Sequence, residues 1–288
     1  MMITRGDTAL RFDAIGTTWQ IDTPRPIGAR VEASIANIIE NFDRTWSRFR
    51  DDSLVQAIAT KPGRYAFGPE APALFEVYRE LYACTDGRVS PLVGRALEQS
   101  GYNREYSLLP TTVSAIPRWA DALAWDGTHL STVSPVVLDV GAAGKGYLVD
   151  LVARELQSSG VDQFTIDASG DIVHRGPTPL RVALEHPRDA TLAIGIANVD
   201  RALCASSSNR RAWADTHHII DGLTGLPTRD VIATWVIADT GLIADGVATA
   251  LFFVDAERLE KSFAFEFVRM FASGRVQSSA HFDGELFA

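Results

Sequence analysis

IADGVATAL, residues 243–251, sets a carboxylate, Asp245, and a hydroxyl, Thr249, four positions apart. On a helix that spacing puts both oxygens on one face, about one turn apart. With only small residues between them, they make a pair of hard donors suited to Mg²⁺, which completes its shell with water and phosphate oxygens. A plainer reading competes: a carboxylate near a helix N-terminus stabilised by the dipole, with a threonine on the same exposed face. From spacing alone the plainer reading is the more economical.

HHIIDGLTGLP, residues 217–227, puts His217 and His218 ahead of an apolar pair, then Asp221 and a turn through Gly222 and Gly225. An imidazole at a strand end beside a loop is well placed for general-base work. Two ordinary polar residues on a strand edge would read the same way. CASSSNRRAW, residues 204–213, offers hydroxyls with Arg210 and Arg211 for an anion, or a capped turn entering a short helix. Ser207, His218 and Asp221 would supply the groups of a serine hydrolase, but no GxSxG elbow is present. TIDASGDI, residues 165–172, ends a strand in the turn Ser169-Gly170-Asp171, whose N–H groups face either solvent or a phosphate or flavin edge.

VLDVGAAGKGYLVD, residues 137–150, has the look of a phosphate loop. It is not the nucleotide loop GxxxxGK[ST]: the required first glycine falls on Asp139, and Gly146 follows Lys145 where a hydroxyl is needed. Its glycines read GxxGxG, so the dinucleotide fingerprint fails as well.

The elements that must position these groups follow from periodicity. Residues 10–21 alternate and predict a strand with an irregularity at Gly16 and Thr17. Apolar residues at Val31, Ile35, Ile38, Ile39 and Phe42 predict a helix over 27–49, and Val77 and Leu81 another over 72–84. A short strand at 136–140 leads to a helix over 146–158. Further strands are expected at 163–168, 180–184, 192–199, 231–239, 263–271 and 275–278, with a helix over 241–254. Strands gathered in the second half among scattered helices predict an α+β fold, not a doubly wound one, and the length of 1–288 without a Gly/Ser linker allows one large domain or two interlocked halves.

At 288 residues with 46% apolar and 22% charged residues, the chain has the composition of a globular protein with a full core. A net charge of −9 leaves no basic footprint for nucleic acid, so an anionic ligand needs a cation or aimed N–H groups. Cys84 and Cys204 match no zinc or redox pattern. Arg5, Asp7, Arg11 and Asp13 interrupt the N-terminal stretch where a signal peptide needs an apolar run, and 241–254 is too short to span a bilayer. The expectation is a cytoplasmic protein with no membrane segment.

Taken in order, the motifs resemble the ApbE family of FAD:protein FMN transferases over nearly the whole length. The family's Met-Gly-Thr element is matched by Ile15-Gly16-Thr17, its Ser-x-aromatic element by SRFRDDS (Ser47–Ser53), and its Phe-Asp-Pro-Thr-Val-Gly element by VSPLVG (Val89–Gly94). LDVGAAGKGYLVD, DASGDI, HIIDGLTGLP and the Asp245–Thr249 pair match the remaining four. Ile15 stands for Met, Ser90 and Leu92 for Asp and Thr, Asp167 and Ser169 for Asn and Gly, Gly222 for Pro, and Ser207-Ser208 for Ser-Gly.

The resemblance implies mixed and antiparallel sheets with flanking helices, in two interlocked subdomains around a flavin cleft. It implies FAD as substrate and Mg²⁺ as cofactor, the metal held by Asp245, Thr249 and the Ala142 carbonyl. Ile15, Gly16, Thr17, Asp139, Lys145, Asp150 and Gly170 would contact the flavin dinucleotide, and Phe49 would stack on its ring. His218 would be the general base, with Asp171 orienting it or binding substrate. The implied reaction moves FMN onto a Thr or Ser hydroxyl of an acceptor flavoprotein and releases AMP. The alternatives are an FAD pyrophosphatase and a protein that only binds or stores FAD.

Overall fold

The computed structural model describes residues 3–5, 8–209, 212, 213 and 216–287. Asp7, Arg210 and Arg211, named above, lie outside the described residues, and nothing of the Arg5 side chain is described.

Nine strands form the central sheet in an order that follows the chain: Ile3–Arg5, Ala9–Ala14, Thr17–Asp22, Phe164–Asp167, Asp171–Arg175, Ala202–Ser207, Val231–Ala238, Glu266–Phe271 and Val276–Ser278. All the pairings between them are antiparallel. The other elements enter as insertions between neighbouring strands, save the strand Gly284–Leu286, which follows the ninth and pairs in a separate sheet. The helices Ala29–Trp46, Leu54–Thr60, Ala71–Cys84 and Gly144–Ser158 come between the third and fourth strands, and Leu180–His186 with Asp189–Val199 between the fifth and sixth. The helix Gly241–Ala250 follows the seventh strand. The fold is α+β with antiparallel sheets, as expected.

Alternation explains why the later strands read as unbroken apolar runs. In Val231–Ala238, Val236 and Ala238 pack under the helices with Cys204, Ile166 and Leu148. Ala233, Trp235 and Ile237 point the other way, onto Leu184, Ile194 and Ala197. A strand covered on both faces has no polar side to show. The first helix buries Ile35, Ile39, Phe42 and Trp46, one face at helical spacing.

Four expectations need correction. Residues 10–21 are two strands of a hairpin, because Ile15 (φ 46°) and Gly16 (φ 75°) form a two-residue turn with both φ positive. Residues 136–140 run without joining a sheet; the Asp139 N–H is instead donated to Pro91 O at 2.8 Å. The 204–208 segment is mostly sheet strand, not a capped turn. The late helix stops at Ala250 where 254 was expected.

Candidate active site

The glycine-rich turn and two helices make the floor of one cleft of about 890 Å³, at the large end of the size range of ligand sites. The helices Gly144–Ser158 and Gly241–Ala250 meet through Gly146 and Gly241. A Cβ at Gly146 would fall 2.1 Å from Gly241 O, and one at Gly241 would fall 2.4 Å from Gly146 O. This contact lets the Gly146 N–H donate to Asp245 Oδ2 at 2.9 Å. On the same helix Thr249 Oγ1 donates to Ala142 O at 3.2 Å. The Ala142 N–H in turn donates to Tyr78 Oη at 3.1 Å, and burial, reinforced by the nearby charge of Asp139, pushes Tyr78 well up so that it stays a phenol.

Asp245, Thr249 and Ala142 all line the cleft. Among the described residues no group of three or more His, Cys, Asp or Glu forms a metal cluster. The donors here are instead a carboxylate, a hydroxyl and a carbonyl. All are hard oxygens, and the 3.2 Å separation of two of them approaches the roughly 3 Å edge of an octahedron with 2.0–2.1 Å bonds. The set fits Mg²⁺.

Lys145 lines the cleft with its ammonium 2.6 Å from Asp171 Oδ2 and donates to Ala168 O at 3.1 Å. Burial alone would lower the ammonium; Asp171 and Asp245 outweigh it, and its pKa stands above the ordinary value. Asp171, 1% exposed, lies behind Lys145 and not on the cleft surface. Burial pushes its carboxyl up and Lys145 pulls it partly back. Its described ion pair is therefore with Lys145. Burial, with Asp171 next, also raises the Cys204 thiol well above its usual range, leaving it neutral.

Two tight turns form one wall. Ile15, Gly16 and Thr17 line it, as does Ser169, whose hydroxyl donates to Thr18 O at 2.8 Å. Gly170, expected to touch ligand, instead supplies a φ of 101° behind Ser169 and donates its N–H to Asp167 Oδ1 at 2.9 Å. Asp150 is also displaced from its expected role. It follows Lys145 by five residues, about 140° round a helix of 3.6 residues per turn, and its carboxylate accepts from the N–H groups of Gly241 and Leu242 at 2.7 and 2.8 Å. It caps the helix that carries Asp245 and Thr249.

The rim opposite carries the histidines. His218 lines the cleft beside Ile219 and Ile220. His217 turns away: its Nε2 lies 2.7 Å from Thr228 O and its Nδ1 accepts from Ile219 N–H at 3.2 Å, the pattern of a neutral ring, which burial also favours by lowering its pKa. Asp221 pairs with Arg88 and accepts the Leu223 N–H, and the Ser207 hydroxyl reaches Ile232 O, so the imagined hydrolase relay is not assembled. Phe49 lines the cleft within an aromatic cluster. It stacks on Tyr106 at 5.6 Å and meets Tyr102 edge-on at 5.5 Å, while Tyr102 stacks on Trp213. Asp139 accepts from Arg48 Nε at 2.6 Å and from Gly141 N–H at 2.8 Å.

Sequence reasoning missed Arg48, Tyr78, Tyr102 and Trp213. Arg48 lies between Ser47 and Phe49 of a matched element and Trp213 closes the stretch 204–213, whereas Tyr78 and Tyr102 left no signal. The departures from the family pattern have structural tasks here. Ser90 accepts the Leu92 N–H, Leu92 is buried in the core, and Asp167 holds the turn at Gly170. The Gly222 N–H is donated to Arg88 O at 2.8 Å, a bond no proline can make.

The FAD:protein FMN transferase of Rhodobacter capsulatus is 26% identical over 267 residues, a match covering 85% of this chain and 51% of that protein. The FAD:protein FMN transferase of Klebsiella pneumoniae is 25% identical over 288 residues, covering 88% of this chain and 80% of its own length. Among solved structures, the ApbE protein of Thermotoga maritima superposes with a TM-score of 0.82 at 22% identity, over 97% of both chains. The flavin transferase ApbE of Vibrio cholerae gives 0.78 at 21%, over 95% of this chain and 97% of its own. The model of the ApbE family matches residues 15–267, and with the motif order and the fold it shows that the chain belongs to that family.

Proposed function

We propose that this protein transfers FMN from FAD to a threonine or serine hydroxyl of an acceptor protein, releasing AMP. The observation that carries the proposal is the convergence on one cleft of the Asp245, Thr249 and Ala142 oxygens, Lys145 and His218. The relatives' name, FAD:protein FMN transferase, supports the same chemistry.

Asp245, Thr249 and Ala142 O would hold Mg²⁺, which supplies Lewis-acid offset of diphosphate charge when bound. Lys145, kept charged by Asp171 and Asp245, adds a fixed cation at the floor. His218 takes the proton of the acceptor hydroxyl as its oxygen bonds to the FMN phosphorus. The bond from that phosphorus to the AMP oxygen breaks, and AMP departs with the electron pair. Positioning and charge offset do most of the work. The aromatic cluster around Phe49 receives the flat ring.

The test is to incubate the chain with FAD and Mg²⁺, with and without an acceptor peptide carrying an exposed threonine, following AMP and peptide mass. A mass gain of one FMN phosphoester, abolished by EDTA and by Asp245→Ala, is expected; His218→Ala should slow it by about 10²–10⁴-fold. AMP released at the same rate without acceptor would make the protein an FAD pyrophosphatase. FAD bound without AMP would make it a binding protein.

A further inference from the structure

The first helix ends at Trp46, and the extended backbone at Ser47 (φ −78°, ψ 114°) turns Arg48 into the cleft. The residue is 5% exposed. Two of its three guanidinium nitrogens are committed: Nε donates to Asp139 Oδ2 at 2.6 Å, and Nη1 to Tyr102 O at 2.8 Å. Nη2 is buried and has no acceptor among the described residues. A buried charged donor left unmatched is costly, and it persists in a folded protein only where something else repays it. Its place on the cleft wall points to a ligand atom.

The surroundings decide which kind of atom. Asp139 already balances the guanidinium charge, so a second anion such as a diphosphate oxygen would sit against the Asp139 carboxylate. A neutral acceptor meets no such repulsion. The plane is also shared with aromatic rings: Arg48 Cζ lies 4.1 Å from the Phe49 centroid and 5.0 Å from that of Tyr102. A guanidinium fixed on two edges and laid among aromatic faces suits the rim of a flat heterocycle carrying a carbonyl.

We propose that Arg48 Nη2 donates to a carbonyl oxygen on the pyrimidine edge of the isoalloxazine ring and so fixes which end of FAD enters the aromatic cluster. This rests on the flavin reading above. Adenine carries no carbonyl, so the contact discriminates between the two ends of the dinucleotide. No bond is made or broken by Arg48; its role is binding and orientation.

The test compares FAD, FMN and ADP as probes of the full-length protein, with flavin affinity read from fluorescence quenching and ADP affinity from calorimetry. In Arg48→Lys, which keeps the charge against Asp139 but not the forked donors, FAD and FMN should bind roughly 10- to 100-fold more weakly while ADP is unchanged. The visible spectrum of bound FAD should also shift between wild type and variant. Equal loss of all three ligands would mean that Arg48 only supports the wall, and no loss would remove the contact; either overturns the proposal. Should the variant not fold, wild-type protein is titrated with FAD analogues in which one pyrimidine carbonyl is a thiocarbonyl, a weaker acceptor. One of the two analogues should bind about tenfold more weakly than FAD, and equal binding of both overturns the assignment. Wild-type protein that binds no FAD fails the functional reading itself, whereas FAD bound equally by wild type and variant fails this inference alone.

Discussion

At the floor of the cleft two backbones touch, Gly146 against Gly241; at the rim, side chains do the holding, Arg88 against Asp221. The two regions also differ in how far they stray from the family pattern. The floor residues Asp139, Lys145, Gly146, Asp245 and Thr249 all match, while Ile15, Ser90 and Gly222 of the walls and rim do not. The difference follows from what each contact tolerates. A backbone crossing with a hypothetical Cβ 2.1 Å from a carbonyl oxygen has no neighbour able to yield. A rim held by long side chains can exchange one partner for another.

The sharpest way to break that comparison is Gly146→Ala. Alanine favours a helix by about 1 kcal/mol over glycine, yet here its methyl group would meet Gly241 O and the Asp245 side chain. The clash should prevail at about 3 kcal/mol, the top of the usual overpacking range, with loss of FMN transfer. Gly28→Ala, where an added Cβ meets nothing within 4 Å, should cost under about 1 kcal/mol. Denaturant midpoints of the two variants decide the matter; equal midpoints would refute the tight crossing.

The floor also carries a titration. Asp150, capping the helix of Asp245 and Thr249, has its pKa pushed up to about 6 by burial, against the lowering effect of the Leu242 and Gly241 N–H groups. Because the folded value lies above the unfolded one, the penalty for ionising Asp150 is absent below about pH 4 and complete above about pH 6. Its contribution to stability is lost as pH rises through that window, by at most about 3 kcal/mol. Asp150→Asn removes this titration. The stability of wild type relative to the variant should therefore grow on acidification from pH 6 to pH 4, measured by denaturation at each pH. A constant difference would mean that the carboxyl titrates normally.

How much of this was legible in the sequence depends on distance along the chain. The Asp245–Thr249 pair and the glycine-rich turn entering the helix at Gly144 are local patterns, and helical spacing marked the face of Ile35, Ile39 and Phe42 that the core receives. The tight turn at Ile15 was missed as a turn because a β-branched residue is among the least expected at positive φ. The supports of the site come from afar: Arg48 reaches Tyr102 across 54 positions, Ala142 reaches Tyr78 across 64 and Trp213 reaches Ser100 across 113. No periodicity reports such pairings. Asp150 was misplaced for the opposite reason: a motif groups it with Lys145, and the helix then turns it to the other side.

The rim sharpens the comparison through two changes toward the family's own residues, which should have opposite signs. Gly222→Pro removes the N–H donated to Arg88 O and adds a Cβ that would lie 2.5 Å from Gly87 O. With that acceptor left unmet and the added Cβ against a backbone oxygen, the cost should be about 2 kcal/mol, and the loop of His218 should loosen with it. Ile15→Met acts the other way. Ile15 sits at φ 46°, and a non-glycine residue there costs roughly 1–3 kcal/mol. An unbranched side chain crowds its own backbone less, and methionine fills a half-buried site with little loss of contact. The variant should gain under about 1 kcal/mol, read as a small rise in melting temperature. If both changes destabilise, the wall turns are as closely fitted as the floor, and the contrast between the two regions fails.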